Sequence, residues 1–310
     1  MKNKKISDLF QRDSFISTLL EYAKKDKKIL LITNDQGAIA LDDYKKHLPN
    51  QFINAGISEQ NIISVAAGLQ KEGFNCFIYS ISSFIIYRAI EQIKIDLCSM
   101  KLPVKIFGVG SGYSYAIDGP THHSTEDIGL LNMMPYMKIY SPSDSLVVKE
   151  IVKSSLNSSE PIYVRLDREY LAPLSLKKYN LDQGYRVIKK GQKTCIITHG
   201  YMLTKAYKIA KDIKHKNIGI IDVFKIKPLN KKVVKDLSKY KNIICLEEHN
   251  ENGGLGNQIS NLYFKNKKNI NLVKIGLKEK TIMGYGSRDH LNSLNNLDEK
   301  SVTKLLMSLK

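Results

Sequence analysis

Short apolar runs alternate along this chain with longer stretches of helical period. Ile29–Thr33, Phe77–Ser80, Val104–Val109, Lys138–Tyr140 and Ile162–Val164 read as strands. Between them, Glu59–Lys71, Phe84–Met100, Thr125–Met133 and Asp144–Leu156 carry helical patterns. In the first of these, Ile62, Ile63, Ala66 and Leu69 share one face, Ser58 stands where a cap belongs, and Gly73 can end the helix. Strands that alternate with helices predict a parallel sheet covered on both faces. The polar stretch Leu174–Gln183 then reads as a linker. A second alternating set follows: Thr194–Thr198, Tyr201–Lys214, Ile218–Val223, Lys231–Tyr240, Ile243–Leu246, Asn257–Phe264 and Leu272–Ile275. The expected fold class is therefore α/β with two doubly wound domains. The larger, a parallel-sheet domain, is placed at residues 1–178 and the smaller at 179–310, with the boundary near Asn180.

At 310 residues the chain is long enough for two cores. Hydrophobic residues make up 43% and charged residues 25%, the balance of a soluble globular protein. The basic start is interrupted by Asp8, Gln11, Arg12 and Asp13, and no apolar run is long enough to span a membrane. A cytoplasmic location is expected, with no membrane partner. The net charge of +18 invites a nucleic-acid reading, but only six of the 48 basic residues are arginines and the lysines are spread along the whole chain. A solvated basic surface that attracts anionic substrates over distance fits better than a nucleic-acid footprint. Cys76, Cys98, Cys195 and Cys245 are far apart with no Cys-x-x-Cys spacing, so buried free thiols are expected rather than disulfides or a zinc site.

Candidate chemistry gathers where strands end, the usual place for ligands in such sheets. Glu59 opens a helix directly after Gly56-Ile57-Ser58, where an acid also suits the helix dipole. Ser82-Ser83-Phe84 ends an apolar strand, and the ring of Phe84 could stack on a heteroaromatic group or join the core. Gly108-Val109-Gly110-Ser111-Gly112 is a weak match to dinucleotide binding and is rejected as such, because no helix follows it directly. It leads instead to the turn Asp118-Gly119-Pro120-Thr121-His122, which can project an acid and an imidazole toward a ligand. The neighbours His122, His123 and Glu126 do not make a metal site, since adjacent histidines diverge. Arg88, Arg165 and Arg168 lie at strand ends or helix starts, where bidentate binding of phosphate or carboxylate competes with ion pairing to Asp167 or Glu169. In the second half, Glu247-Glu248-His249-Asn250 follows a strand. Gly253-Gly254-Leu255-Gly256 then opens a helix and reads as a closely packed turn in preference to an anion site.

As a set, Gly56–Glu59, Phe84, Asp118–His122 and Glu247–Gly256 resemble the C-terminal half of transketolase, and the resemblance covers nearly the whole chain. Deoxyxylulose-phosphate synthase and the beta subunits of 2-oxo acid dehydrogenases share that architecture, but the Asp-Gly-Pro-Thr-His form is closer to transketolase. The resemblance implies a pyrimidine-binding domain followed by a transketolase C-terminal domain, with thiamine diphosphate as cofactor. Glu59 then matches the glutamate that hydrogen-bonds N1′ of the cofactor's aminopyrimidine and favours its imino form. Phe84 matches the aromatic residue that stacks on that ring, and Asp35 an aspartate near the cofactor. Asp118 and His122 match residues that contact substrate hydroxyls, His122 also assisting proton transfer. Arg168 matches the arginine that holds the sugar phosphate, with Arg88 assisting it.

Two departures from the pattern matter. The half of transketolase that carries the diphosphate-binding loop and its Mg²⁺ ligands has no counterpart here. The resemblance therefore implies the second subunit of a split transketolase, with an N-terminal-half partner that holds Mg²⁺, in a heterotetramer acting on phosphorylated sugars. The position where the family commonly has a histidine is Gly110, which leaves the usual pentose-phosphate substrates in doubt. Two rival functions remain open at this point: a component that decarboxylates a 2-oxo acid, and a non-catalytic assembly subunit that keeps the fold.

Overall fold

The computed structural model describes residues 5–175, 179–213, 217–265 and 271–309. The strands are β1 (Ile29–Thr33), β2 (Phe52–Asn54), β3 (Asn75–Ile81), β4 (Lys105–Val109), β5 (Lys138–Tyr140), β6 (Ile162–Leu166), β7 (Tyr185–Lys189), β8 (Thr194–Thr198), β9 (Gly219–Val223), β10 (Lys225–Lys227), β11 (Asn242–Asn250) and β12 (Asn271–Leu277). A seven-stranded sheet runs in the order β10-β5-β6-β4-β3-β1-β2, and a five-stranded sheet in the order β12-β11-β8-β9-β7. Pairing is parallel except at two edges, where β10 runs against β5 and β7 against β9. Strands β1, β4 and β6 are buried along their whole length, as expected for a parallel sheet with helices on both faces. The fold is thus α/β with two mostly parallel sheets, as the alternation of patterns predicts. Strand β10 is an addition: residues from the later part of the chain close the edge of the first sheet.

Several elements depart from the sequence expectation. A helix at Gln11–Ala23, absent from that reading, lays Phe15, Ile16 and Leu19 against Val147, Val148 and Ile151 of the helix Ser145–Ser155. Arg12, which interrupts the apolar run in sequence, lies on the same helical face as Phe15, Ile16 and Leu19 and pairs with Asp13 at 2.8 Å, both side chains being partly buried. The pattern over Phe84–Met100 is not one helix. It stops at Arg88, bends at Ala89 (φ −116°, ψ 23°), and resumes as a short turn and a π-helix over Ile93–Ser99. Ser58 occupies the cap position of the helix Glu59–Lys71, but its hydroxyl donates to the Ala55 carbonyl at 2.8 Å and caps nothing. Asp144 does cap, accepting from the amides of Leu146 and Val147. In the stretch expected as a linker, Tyr179 is buried and its hydroxyl donates to Asp144, so the segment is pinned to the first sheet's helix layer. Residues 176–178 of that stretch, and Lys214 at the expected end of the helix from Tyr201, lie outside the described residues. All four cysteines are buried free thiols. Among the described residues no helix is long and apolar enough to cross a membrane.

One buried cluster joins the two halves. Arg288, 7% exposed, donates to Glu248 at 2.7 and 3.0 Å and to Asp167 at 2.8 and 3.0 Å, and its guanidinium lies 3.5 Å over the ring of Tyr201. Burial alone would raise the Asp167 carboxyl, but the Arg288 charge and hydrogen bonds hold it below the usual carboxylate range. Arg165, expected as a possible ligand for anions, is buried instead, bonded to both oxygens of Asp127 and to the carbonyls of Ser124 and Glu248. It is a structural arginine, and its partner is Asp127, not Asp167 or Glu169. Removing one partner of a buried ion pair strands the other in a low-dielectric site. Arg288→Met is therefore expected to cost about 3–5 kcal/mol. A denaturant titration showing a loss of under about 1 kcal/mol would refute that dependence.

Lys105 is the other conspicuous buried charge. It lies at the start of β4, 1% exposed, with its ammonium donating to the Asn75 side-chain oxygen and 5.2 Å from the Phe77 ring centroid. Burial pushes its pKa down to about 8 from the ordinary 10.5. Between those values the unfolded chain binds this proton and the folded one does not, so this residue makes stability rise as pH rises. Lys105→Met should stabilise the protein by up to ~3 kcal/mol at pH 7, with most of the gain gone by about pH 10. Urea midpoints of both proteins at the two pH values check this, and a difference that does not change with pH would contradict it.

Candidate active site

Because β1, β2, β3, β4 and β6 are parallel, their carboxyl ends lie along one edge of the first sheet. From that edge emerge Asn34-Asp35, Gly56–Glu59, Ser82–Phe84, the loop from Gly110 to His122, and Asp167-Arg168. Glu59 begins its helix with the carboxylate turned inward and only 5% of the residue exposed. Its Oε1 accepts hydrogen bonds from Asn34 Nδ2 and Arg88 Nη1, both at 2.9 Å, while Oε2 makes none with the described residues. An open cleft of about 450 Å³ lies here, lined by Ile57, Ser58, Glu59, Gln60, Asn61 and Arg88.

From Glu59 the contacts continue in an unbroken row. The Arg88 guanidinium carbon stands 4.1 Å from the centroid of the half-buried Phe84 ring. The His122 ring meets Phe84 edge-on at 4.8 Å and lies 5.8 Å from Tyr115. The Arg168 guanidinium covers Tyr115 at 4.8 Å, and its Nη1 lies 3.6 Å from Asp118 Oδ2. Of the residues expected from sequence, Glu59, Phe84, Arg88, His122, Asp118 and Arg168 are thus brought together. Arg88 sits at the Glu59 end of the row, whereas the resemblance put it with Arg168. Asp35 stands apart. Its side chain is exposed and accepts from the Asn54 amide at 3.0 Å.

Two participants escaped the sequence reading. Asn34, immediately before Asp35, is buried, holds Glu59 through its amide nitrogen, and leaves its oxygen without a partner among the described residues. Its position as the first residue after β1 was the available signal. Tyr115 forms the floor under Arg168 and His122. It can do so because Gly110, at φ +105°, has no side chain: a Cβ there would lie 2.5 Å from the Tyr115 ring. The space that a larger residue would take at position 110 is filled by a tyrosine five residues later. Burial raises the Tyr115 hydroxyl's pKa, keeping it protonated through the neutral range.

His122 and His123 point apart, as adjacent residues tend to. His123 packs on the Tyr113 ring at 4.9 Å and is buried, which pushes its pKa down. Among the described residues no group of three or more His, Cys, Asp or Glu side chains is arranged to hold a metal ion. The Glu-Glu-His-Asn and Gly-Gly-Leu-Gly motifs of the second half are internal fastenings. Glu247 accepts from the amides of Leu255 and Gly256 at 2.7 and 2.9 Å, so the helix start is occupied by the chain's own carboxylate. Glu248 binds Arg288 and the Tyr113 amide, and buried His249 is kept neutral by its desolvation.

The family model described as "Transketolase, pyrimidine binding domain" matches residues 10–173, and the one described as "Transketolase, C-terminal domain" matches residues 184–302. The B subunit of the apulose-4-phosphate transketolase of Phocaeicola vulgatus is 32% identical over 303 residues, which cover 94% of this chain and 95% of that one. 1-Deoxy-D-xylulose-5-phosphate synthase of Clostridium tetani is 29% identical over 313 residues, covering 99% of this chain and 50% of that protein. A solved structure described as a split gene transketolase, inactive beta4 tetramer, superposes with a TM-score of 0.86 at 27% identity, covering 96% of this chain and 97% of its own. With both of its halves matched in order, and the strand-end row of acid, aromatic ring, imidazole and arginine in place, the chain belongs to the transketolase family, whose chemistry depends on thiamine diphosphate.

Proposed function

We propose that this chain is the second subunit of a split transketolase and that, with a separate partner, it transfers a two-carbon ketol unit between phosphorylated sugars. The observation that carries the reading is the continuous row from buried Glu59, through Phe84 and His122, to Arg168. The residues fit an aminopyrimidine. A buried carboxylate has one oxygen without a hydrogen bond among the described residues, and one guanidinium of the chain joins that carboxylate to the half-buried Phe84 ring. Thiamine diphosphate, when bound, supplies the carbon nucleophile that cleaves a ketose beside its carbonyl.

The chain's own residues would do the rest. Glu59 would accept a hydrogen bond from the heterocycle, steadied by Asn34 so that its carboxylate does not turn away. Phe84 would offer the stacking face. His122 has Thr121 Oγ1 3.1 Å from its Nδ1, which leaves Nε2 to exchange a proton with a sugar hydroxyl. Asp118 would accept from a neighbouring hydroxyl, and Arg168, held flat on Tyr115, would take the phosphate. Asp35 is proposed only as a neighbour of the cofactor. The diphosphate and Mg²⁺ are assigned to an N-terminal-half partner, in keeping with the P. vulgatus relative, which is itself one lettered subunit of a transketolase. Ile57 and Ile117 stand exposed beside Glu59 and Asp118, and exposed Tyr285 lies against Gly119. Such an apolar rim suits a junction between subunits, with two copies of each chain in the assembly.

The purified chain alone should be inactive. Activity should appear with the partner, thiamine diphosphate and Mg²⁺, and apulose 4-phosphate, after which the P. vulgatus relative is named, is the first sugar to try. In that complex Glu59→Gln should lower turnover by about two orders of magnitude or more while the unfolding midpoint stays near the parent's. Near-normal turnover of the variant would remove the mechanism. The similarity to the C. tetani synthase supports a second reading, decarboxylation of a 2-oxo acid. Carbon dioxide release from pyruvate would select it over ketol transfer. Failure to take up cofactor with every plausible partner would select an assembly role instead.

A further inference from the structure

Arg88 already holds both groups that the proposed cofactor ring would use. Its Nη1 donates to Glu59 Oε1 at 2.9 Å, and its Cζ lies 4.1 Å from the Phe84 ring centroid. A guanidinium is planar and carries its N–H donors in that plane. With one N–H on Glu59 and its carbon over the Phe84 ring, it makes a hydrogen bond to the carboxylate and a face contact to the phenyl ring, the same two partners that an aminopyrimidine would use.

The local backbone produces this arrangement and lets it come undone. Phe84 and Arg88 are one helical turn apart and so share a face. The helix ends at Arg88 and the chain bends at Ala89, so the arginine stands at the free end of its helix. Its side chain is 49% exposed against 6% for Glu59, which leaves the arginine free to turn into solvent while the carboxylate stays in place. When Arg88 leaves, Glu59 keeps its Asn34 hydrogen bond. A half-exposed ion pair and a half-exposed cation–π contact are each weak. The occupant is thus held firmly enough to screen a buried carboxylate and loosely enough to be displaced.

We propose that Arg88 is an internal stand-in for the cofactor's pyrimidine ring. It occupies Glu59 and Phe84 in the unloaded chain and must swing out before the cofactor can seat. The proposal rests on the assignment of Glu59 and Phe84 to that ring. A pocket filled part of the time by its own side chain has its apparent affinity lowered by the fraction of time it is open.

Two binding measurements test this without reference to turnover. The first titrates the full chain with 4-amino-5-(hydroxymethyl)-2-methylpyrimidine, followed by ligand-observed NMR. The second follows association and dissociation of thiamine diphosphate in the reconstituted complex by protein fluorescence. Arg88→Ala should tighten fragment binding about tenfold, and in the complex should speed cofactor association by a similar factor while leaving dissociation unchanged. Arg88→Lys, which keeps the charge but loses the flat face, should fall on the alanine side of the parent. Unchanged or weaker fragment binding to Arg88→Ala overturns the stand-in alone, and a lysine variant that binds like the parent reduces it to simple charge neutralisation. If the fragment binds neither the parent nor Arg88→Ala, while Glu59→Gln leaves cofactor affinity in the complex unaltered, the assignment of Glu59 falls and the stand-in falls with it.

Discussion

The arginine at position 288 is the constraint on which the working geometry depends. It comes from the last part of the chain, yet it neutralises Asp167 at the end of β6 and Glu248 in β11 together. Asp167 in turn accepts from Ser111, and Glu248 from the amide of Tyr113. The loop that leads to Asp118 and His122 is thereby fastened at two successive points to carboxylates that would be untenable in the interior without the guanidinium. Gly112 stands between those points at φ +55°, where a Cβ would fall 2.1 Å from a Glu248 oxygen. The second half of the chain thus sets the position of a loop in the first half, and the loop sets the imidazole.

The candidate site follows from that fastening and from the common direction of the strands. Parallel pairing collects five loops at one edge, and the ring contacts among Phe84, His122 and Tyr115 link the loops across that edge. Glu59 lies at one end of this row and Arg168 at the other, so the heterocycle and phosphate assignments fall at opposite ends of one surface. The replacement of a side chain at Gly110 by the ring of Tyr115 changes what a substrate would meet between those ends. If the site is completed by a partner, as proposed, a buried carboxylate facing a cleft gains from being covered until assembly. Arg88 is the side chain that now lies against it.

Much of this was legible in the order of residues. Parallel α/β architecture follows from apolar runs too short for helices alternating with helical periods, and buried thiols follow from isolated cysteines inside such runs. The site motifs were legible because strand ends are where polar residues interrupt apolar runs. What escaped did so for physical reasons. The helix at Gln11–Ala23 was hidden by its polar start: Gln11 looks like an interruption in sequence but is buried, bonded to the Pro142 carbonyl and the Asp167 amide far along the chain. Arg165 and Arg168 are equivalent in sequence, three residues apart beside acids. One is enclosed by Asp127 and backbone carbonyls and the other is half exposed over Tyr115, a difference made by residues 38 and 53 positions away. The same holds for Glu247 and Glu248, whose carboxylates serve a helix start and an arginine rather than a ligand.

By itself the sequence determined most of the elements, the parallel order of the strands and the chemistry available at the strand ends, because periodicity and composition act locally. Tertiary structure alone decided which of those groups face one another. It paired Arg88 with Glu59 and Phe84, brought Asn34 under the carboxylate and Tyr115 against Gly110, and sent β10 back to the first sheet. Those choices turn on which buried charge finds a partner and which ring fills which space. Such contacts join residues far apart in the chain, and no local pattern encodes them.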